Sequence, residues 1–214
     1  MRRTLSILRS TLPYWMVTRL VDWLPESTPT VRLKGALARY CVDRCGRRFG
    51  LGREVTLNFP DRFAAGDDCY IARGGWVQAM GGVTLGDGVV CGPFVVLAST
   101  NHERAVHRIA DVSVGTTVGA GTRPEAITIG DGTWIGAHAV VTAGVSIGRG
   151  CVIGAGAVVT RSTGENELWA GVPARRIRSL DQEGIDAAET AAKNASEAAD
   201  VDRDGLSRPL RVAA

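Results

Sequence analysis

Along residues 129–159 an aliphatic side chain returns at every sixth position: Ile129, Ile135, Val141, Ile147, Ile153 and Val159. The residue after each is Gly or Thr, and the fourth after each is small: Thr133, Ala139, Val145, Cys151, Ala157 and Thr163. Neither the 3.6-residue helical period nor hairpin alternation makes this pattern. A six-residue unit is one short strand plus one corner, and three such units close a triangular coil of about 18 residues. Stacked coils then set equivalent positions over one another. The aliphatic position fills the prism, the small one also turns inward where space is short, and Gly relaxes the corner. The period recurs at Leu85, Cys91 and Leu97, at Ala65, Ile71 and Val77, and weakly at Leu51, Leu57 and Phe63. Phase slips at 63–65 and 77–85 imply small corner insertions, and the repeats amount to between four and five coils. Cys69, Cys91 and Cys151 fall on interior positions of the repeat, as small packing residues rather than nucleophiles.

Ahead of the repeat the period is helical. Leu5, Leu8 and Leu12, then Trp15/Met16, Leu20 and Trp23/Leu24, follow three-to-four-residue spacing. Pro13 suits a first helical turn, so the stripe predicts two pieces, 3–11 and 13–24. A second helix is expected from Thr30 as N-cap to Gly46, burying Leu33, Ala36, Leu37, Tyr40 and Cys41, with Cys41 and Cys45 on one helix face. The repeat is broken between Leu97 and Ile127, and a long excursion from a regular solenoid is where function concentrates. From Asp181 the chain is rich in Ala, Asp and Glu without a convincing apolar face, and disorder is expected. The expected organisation is a helical segment 1–48, a β-helix 49–180 with loop 99–126, and an acidic tail 181–214.

Composition sharpens this reading. The chain has 214 residues, 27 of them Gly, and only 6% aromatics, which suits a Val, Ile, Leu and Ala core cut by corners. The net charge of +3 hides ten Lys/Arg against three Asp/Glu in residues 1–48, eleven against eleven in 49–178, and four against eight in 179–214. A basic N-terminus suits an acidic partner or peripheral contact with a membrane, although arginines on exposed helix faces are ordinary; nucleic acid is not expected as a partner. Five cysteines without a CxxC pair make neither a disulfide framework nor a zinc ribbon, so a reducing cytoplasm is the simplest setting. Arg9, Pro13, Arg19 and Asp22 leave no apolar run long enough for a signal h-region or a span.

The run ITIGDGTWIGAHAVVTAGVSIGRGCVIGAGAVVT, followed by WAGVPARRIR and preceded by STNH, resembles the hexapeptide-repeat acyltransferases over about residues 50–180. The part after His102 is most similar to the maltose/galactoside and polysaccharide O-acetyltransferase branch. The resemblance implies a mainly β fold, a left-handed parallel β-helix with a protruding loop. It further implies homotrimers, acetyl-CoA as co-substrate in a groove between neighbouring prisms, and no metal. The general base of such relatives is a His at the start of the loop, which His102 matches.

Chemistry asks for such a residue independently, because an alcohol attacks a thioester poorly unless a neutral imidazole takes its proton. Of the other histidines, His107 lies within the excursion as a surface or loop-packing residue, and His138 is an outward-facing structural position. Glu103, Asp111 and Glu125 are alternative orienting carboxylates for His102. The resemblance puts an oxyanion-binding backbone N–H at Ala137. Trp134, Gly136 and Ala137, then Gly154, Ala155 and Gly156, stand one coil apart and line one edge, where small residues let a thin pantetheine chain approach. Arg161 and Arg175 match basic positions of the family, Thr160 beside Arg161 is a further cofactor contact, and Arg176 and Arg178 lie nearby as further cations for the phosphates. Tyr70, Arg73, Trp76 and Gln78 precede His102 on neighbouring coils as acceptor contacts.

Galactoside-type relatives carry an acidic pair where Gln78–Thr84 has no carboxylate, and the Gly81-Gly82 pair and the basic helical N-terminus are closer to polysaccharide enzymes. The expected reaction is acetyl transfer to a hydroxyl of a sugar or polysaccharide precursor, directly in a ternary complex. N-acetylation of an amino sugar, or a serine-type acceptor, is the alternative. Two rivals use the same fold. A γ-carbonic-anhydrase-like zinc enzyme needs one His before and two after a gap that here is flanked by His102, His107 and then His138; a non-catalytic scaffold needs neither His102 nor the long loop.

Overall fold

A computed structural model describes residues 10–102 and 122–180, together with the backbone of 104–105 and 108–109. The chain divides into two units at Arg178/Ser179. The repeat folds as a three-faced solenoid of parallel strands. Face one stacks Arg44–Cys45, Phe63–Ala65, Val83–Leu85, Ile127–Ile129 and Ser146–Ile147. Face two stacks Gly50–Leu51, Tyr70–Ile71, Val90–Cys91, Trp134–Ile135 and Val152–Ile153, and continues with Glu167–Ala170 and Arg175–Ser179. Face three stacks Thr56–Asn58, Trp76–Gln78, Val96–Ala98, Val140–Val141 and Val158–Val159. Faces one and three each have five strands, so there are five coils where the repeat implied four to five.

The six-residue period does what its chemistry requires. The aliphatic positions from Ile129 to Val159 are 0–3% exposed, and Thr133, Ala139, Val145, Cys151 and Ala157 fill the same interior. Cys69 and Cys91 are buried with them. Burial pushes the Cys91 thiol up to about 12 and raises that of Cys69 as well, so both are packing residues with no thiolate to offer. Corner glycines serve two needs. Gly132 has φ +64°, in the left-handed region. Gly130 instead lies under the next coil, and a Cβ there would stand 2.4 Å from the Arg149 nitrogen.

The phase slips are corner insertions between faces three and one. Leu57 to Ala65 and Val77 to Leu85 each take eight residues where six would serve, and a 3-10 turn at Pro60–Arg62 fills the first. The excursion after Leu97 leaves from the same corner one coil further on.

Two helices cap the first coils. α1 spans Leu12–Val21 with Pro13 in its first turn, as the proline rule predicts. α2 spans Thr28–Ala38, earlier than the sequence suggested. Its N-cap is Ser27, locked by a reciprocal box with Thr30, so Thr30 serves as the third helical residue rather than the cap. Its buried side is Lys34, Gly35 and Ala38, whereas Leu33 and Tyr40 face solvent at 46% and 81% exposure. Close approach explains this: a Cβ on Gly35 would lie 2.0 Å from the Phe49 carbonyl oxygen. The expected Cys41/Cys45 helix face does not exist, because Cys45 is already in the first strand while Cys41 is buried in the core.

Candidate functional site

His102 ends the strand Thr100–His102, which pairs antiparallel with Thr122–Pro124, His102 opposite Thr122. This short ribbon joins the two described ends of the excursion, and His102 on it is exposed. Ser99 anchors its root. The buried Ser99 hydroxyl donates to the Gln78 carbonyl at 2.6 Å and accepts the Gly81 N–H at 2.8 Å, while the Ser99 carbonyl accepts the Glu125 N–H. Sequence reasoning did not give Ser99 this role; its place two residues after Leu97, where the repeat breaks, was the available signal. Glu125, the one described candidate to orient His102, is ion-paired with Arg123 at 2.6 Å. Glu103, His107 and Asp111 lie outside the described residues.

The expected cofactor edge is the corner between faces two and three. Gly136 and Ala137 sit directly below Gly154 and Ala155: Gly136 N–H donates to the Ile153 carbonyl at 2.7 Å, and Gly156 N–H to the Ala137 carbonyl at 2.8 Å. The corner between faces one and two differs from this one over its first three coils. There the turn N–H groups are claimed by an aspartate one coil on, Arg47 N–H by Asp67, Asp67 N–H by Asp87 and Asp87 N–H by Asp131, at 2.7–2.8 Å, whereas the next two, of Asp131 and Arg149, meet no acceptor among the described residues. At the equivalent turn positions of the other corner stand Ala137 and Ala155, whose N–H groups meet no acceptor among the described residues. A Cβ on Gly156 would meet nothing within 4 Å, so the edge is bare. A row of unclaimed donors on a bare edge fits the amides and carbonyls of a pantetheine chain. Trp134 stands beside it, 55% exposed on face two. His138 occupies the same corner at φ +59° and stacks on Phe94, ring centroids 5.0 Å apart, a packing arrangement.

His102 and this edge do not share a corner. The edge is where the chain enters face three and His102 is where it leaves, with the strands of face three between them. Of the proposed acceptor contacts, Trp76 and Gln78 lie on that intervening face. Gln78 is 6% exposed and its side-chain carbonyl oxygen has no hydrogen-bond partner among the described residues. Arg73, at the corner, is paired with Glu54 at 3.2 Å, and Tyr70 lies on face two beside a hollow of about 320 Å³ that Glu26, Arg32 and Asp68 help to line. Thr160 and Arg161 are exposed just past the last strand of face three. Arg175 and Arg178 belong to the outermost strand of face two, and Arg176 between them is held by Glu167 at 2.7 Å.

Residues 126–161 match the family described as bacterial transferase hexapeptide (six repeats). The chain is 40% identical over 137 residues to galactoside O-acetyltransferase of Escherichia coli strain K12, covering 61% of this chain and 64% of that one. It is 35% identical over 136 residues to a Dictyostelium discoideum protein provisionally named as an acetyltransferase, covering 63% of this chain and 67% of that one. A galactoside acetyltransferase solved with coenzyme A superposes with TM-score 0.66 at 26% identity, over 80% of this chain and 81% of its own.

Proposed function

Because the chain belongs to the hexapeptide-repeat acyltransferase family, we propose that it moves an acetyl group from acetyl-CoA to a hydroxyl of a sugar or polysaccharide precursor, with His102 as general base. The observation that carries the reading is the bare edge at Ala137 and Ala155, whose N–H groups meet no acceptor among the described residues, with the exposed His102 across the adjoining face. When bound, acetyl-CoA supplies an acyl group activated as a thioester. Trp134, Gly136, Ala137, Gly154 and Ala155 would hold its pantetheine arm, and Thr160, Arg161, Arg175 and Arg178 its phosphates.

The His102 imidazole takes the hydroxyl proton as the new C–O bond forms and returns it to the departing sulfur, so no proton is lost to solvent. The Ala137 N–H donates to the oxygen on which negative charge develops, an effect worth about 10²-fold or more. Transfer is direct, since the Cys91 thiol is interior and protonated. Because His102 and the cofactor edge flank opposite sides of face three, a second prism laid along that face completes the site. The family likeness supports a homotrimer with sites between subunits. Trp76 stacks on the acceptor and the unpartnered Gln78 oxygen accepts one of its hydroxyls.

Thiol release from acetyl-CoA over a panel of oligosaccharides, amino sugars and serine tests the reading. His102→Ala should lower turnover by about 10²- to 10⁴-fold with oligosaccharides preferred. Wild-type turnover in the variant removes His102 from its role; preference for amino sugars makes the enzyme an N-acetyltransferase; no release with any acceptor leaves a scaffold.

A further inference from the structure

The apolar stripe that the helical period picks out ahead of the repeat faces solvent. On α1, Leu12, Trp15, Met16 and Leu20 are 42%, 56%, 59% and 76% exposed, and the turn after the helix adds Trp23 at 90% and Leu24 at 45%. The buried side of α1 is Tyr14, Thr18 and Val21. Two of these three carry hydroxyls, both satisfied: Tyr14 donates to the Val55 carbonyl at 3.2 Å and Thr18 to the Tyr14 carbonyl at 2.9 Å. The helix therefore docks on the solenoid through its more polar side and turns its more apolar side outward. Single exposed apolar residues are ordinary on a protein surface, but a contiguous stripe with two tryptophans is the mark of a contact surface.

Charge identifies what it contacts. Arg19 is the charged residue within the stripe, and Arg2, Arg3 and Arg9 precede it in a segment with ten basic against three acidic residues. Laying this face on a second copy of itself would set the Arg19 of each copy in one contact, which opposes pairing. A surface that is both apolar and anionic complements it. Indole rings settle at the lipid headgroup level, and an apolar helical stripe edged by arginine lies in the plane of a bilayer rather than across it. Among the described residues no helix is long and apolar enough to cross a membrane. We propose that α1 and the turn after it form an in-plane anchor that docks the protein on anionic phospholipid bilayers.

The full-length protein is mixed with vesicles of phosphatidylcholine and phosphatidylglycerol in equal parts, or of phosphatidylcholine alone, and sedimented at physiological salt. Wild type should pellet with the mixed vesicles and largely escape the neutral ones. The double substitution W15E/L20E should weaken binding by at least an order of magnitude, and Arg19→Gln by roughly fivefold, the worth of one cation near such a surface. These side chains face solvent, so thermal unfolding should be unchanged. Quenching of wild-type tryptophan fluorescence by brominated acyl chains reads the same insertion without any variant. Failure of wild type to bind, absence of quenching, or equal binding by W15E/L20E each overturns the proposal. A lower mass for W15E/L20E in light scattering, with no wild-type vesicle binding, would assign the face to a second copy instead.

Discussion

Replacing Lys34 by methionine tests how the helical cap is held on the coil beneath it. Lys34 is 2% exposed, and its ammonium donates to Asp22 Oδ1 at 2.6 Å and to the Gly52 carbonyl at 2.7 Å. The other Asp22 oxygen accepts the Glu54 N–H at 3.2 Å. One amino group thus ties the end of α1, the middle of α2 and a corner of the first coils. Burial pulls the Lys34 pKa below the usual lysine value, with Asp22 acting against it, so the charge is held at a cost that its partner offsets. Methionine nearly matches the stem in volume, so little cavity forms. The loss is mainly that of stranding the Asp22 carboxylate, itself 13% exposed. Stranding one member of a buried pair costs about 3–5 kcal/mol, and the remaining water and the Glu54 N–H place this case near the lower end, about 3 kcal/mol. Lys34→Met combined with Asp22→Asn removes both charges and should recover all but about 1 kcal/mol. Urea unfolding followed by circular dichroism gives the magnitudes, and hydrogen exchange in α1 and α2 shows whether the cap opens ahead of the solenoid. A single variant as stable as wild type, or a double variant no better than the single, refutes this account of the clamp.

Two further outcomes follow from other sites. Gln78→Leu removes a buried oxygen that has no partner among the described residues, so stability should hold or rise while the KM for the acceptor increases; an unchanged KM in the thiol-release assay takes Gln78 out of the acceptor site. Hydrogen bonds from the Trp169 indole and the Gly164 N–H, with Arg176 nearby, hold the Glu167 carboxyl below its ordinary range. A carboxyl depressed in the folded state stabilises above its unfolded pKa and loses that contribution as pH falls through the folded value, so Glu167→Gln should flatten the acid limb of Tm against pH below about 4.3. Parallel curves for the two proteins would contradict that assignment.

The solenoid was legible in the sequence because one spacing fixes every interior position at once, down to Cys69, Cys91 and Cys151. The capping helices were legible as elements but not in register. Ser27, Thr28 and Thr30 all qualify as caps, and only the Ser27–Thr30 box decides among them. The buried face of α2 inverts the usual rule, since Gly35 must pass close to Phe49 and Lys34 must reach Asp22. The edge where acetyl-CoA is placed was visible as stacked small residues, but its openness was not argued from them. Part of that signal was present in the residue after the corner Gly: Ala137 and Ala155 bring no side-chain acceptor to their corner, where Asp67, Asp87 and Asp131, though not Arg149, stand at the other. How far His102 lies from that edge is a matter of which corner the excursion leaves by, and the two extra residues in each earlier coil marked that corner.

The last strand of face two has a consequence for how long such a rod can be. Parallel coils end in a row of unpaired backbone groups, an invitation for another rod to stack end to end and polymerise. Here the outermost described strand, Arg175–Ser179, carries Arg175, Arg176 and Arg178, all exposed. Two such ends brought together would face each other with like charge. At the opposite end α2 packs over the first strands, with the Gly35 backbone pressed against Phe49. Among the described residues the first and last strands of the solenoid are thus covered differently, by helix burial at one end and by an arginine-bearing strand at the other. Neutralising the three arginines should therefore let two copies pair through this end, as a dimer and not a filament, because the helix-capped end offers no second contact.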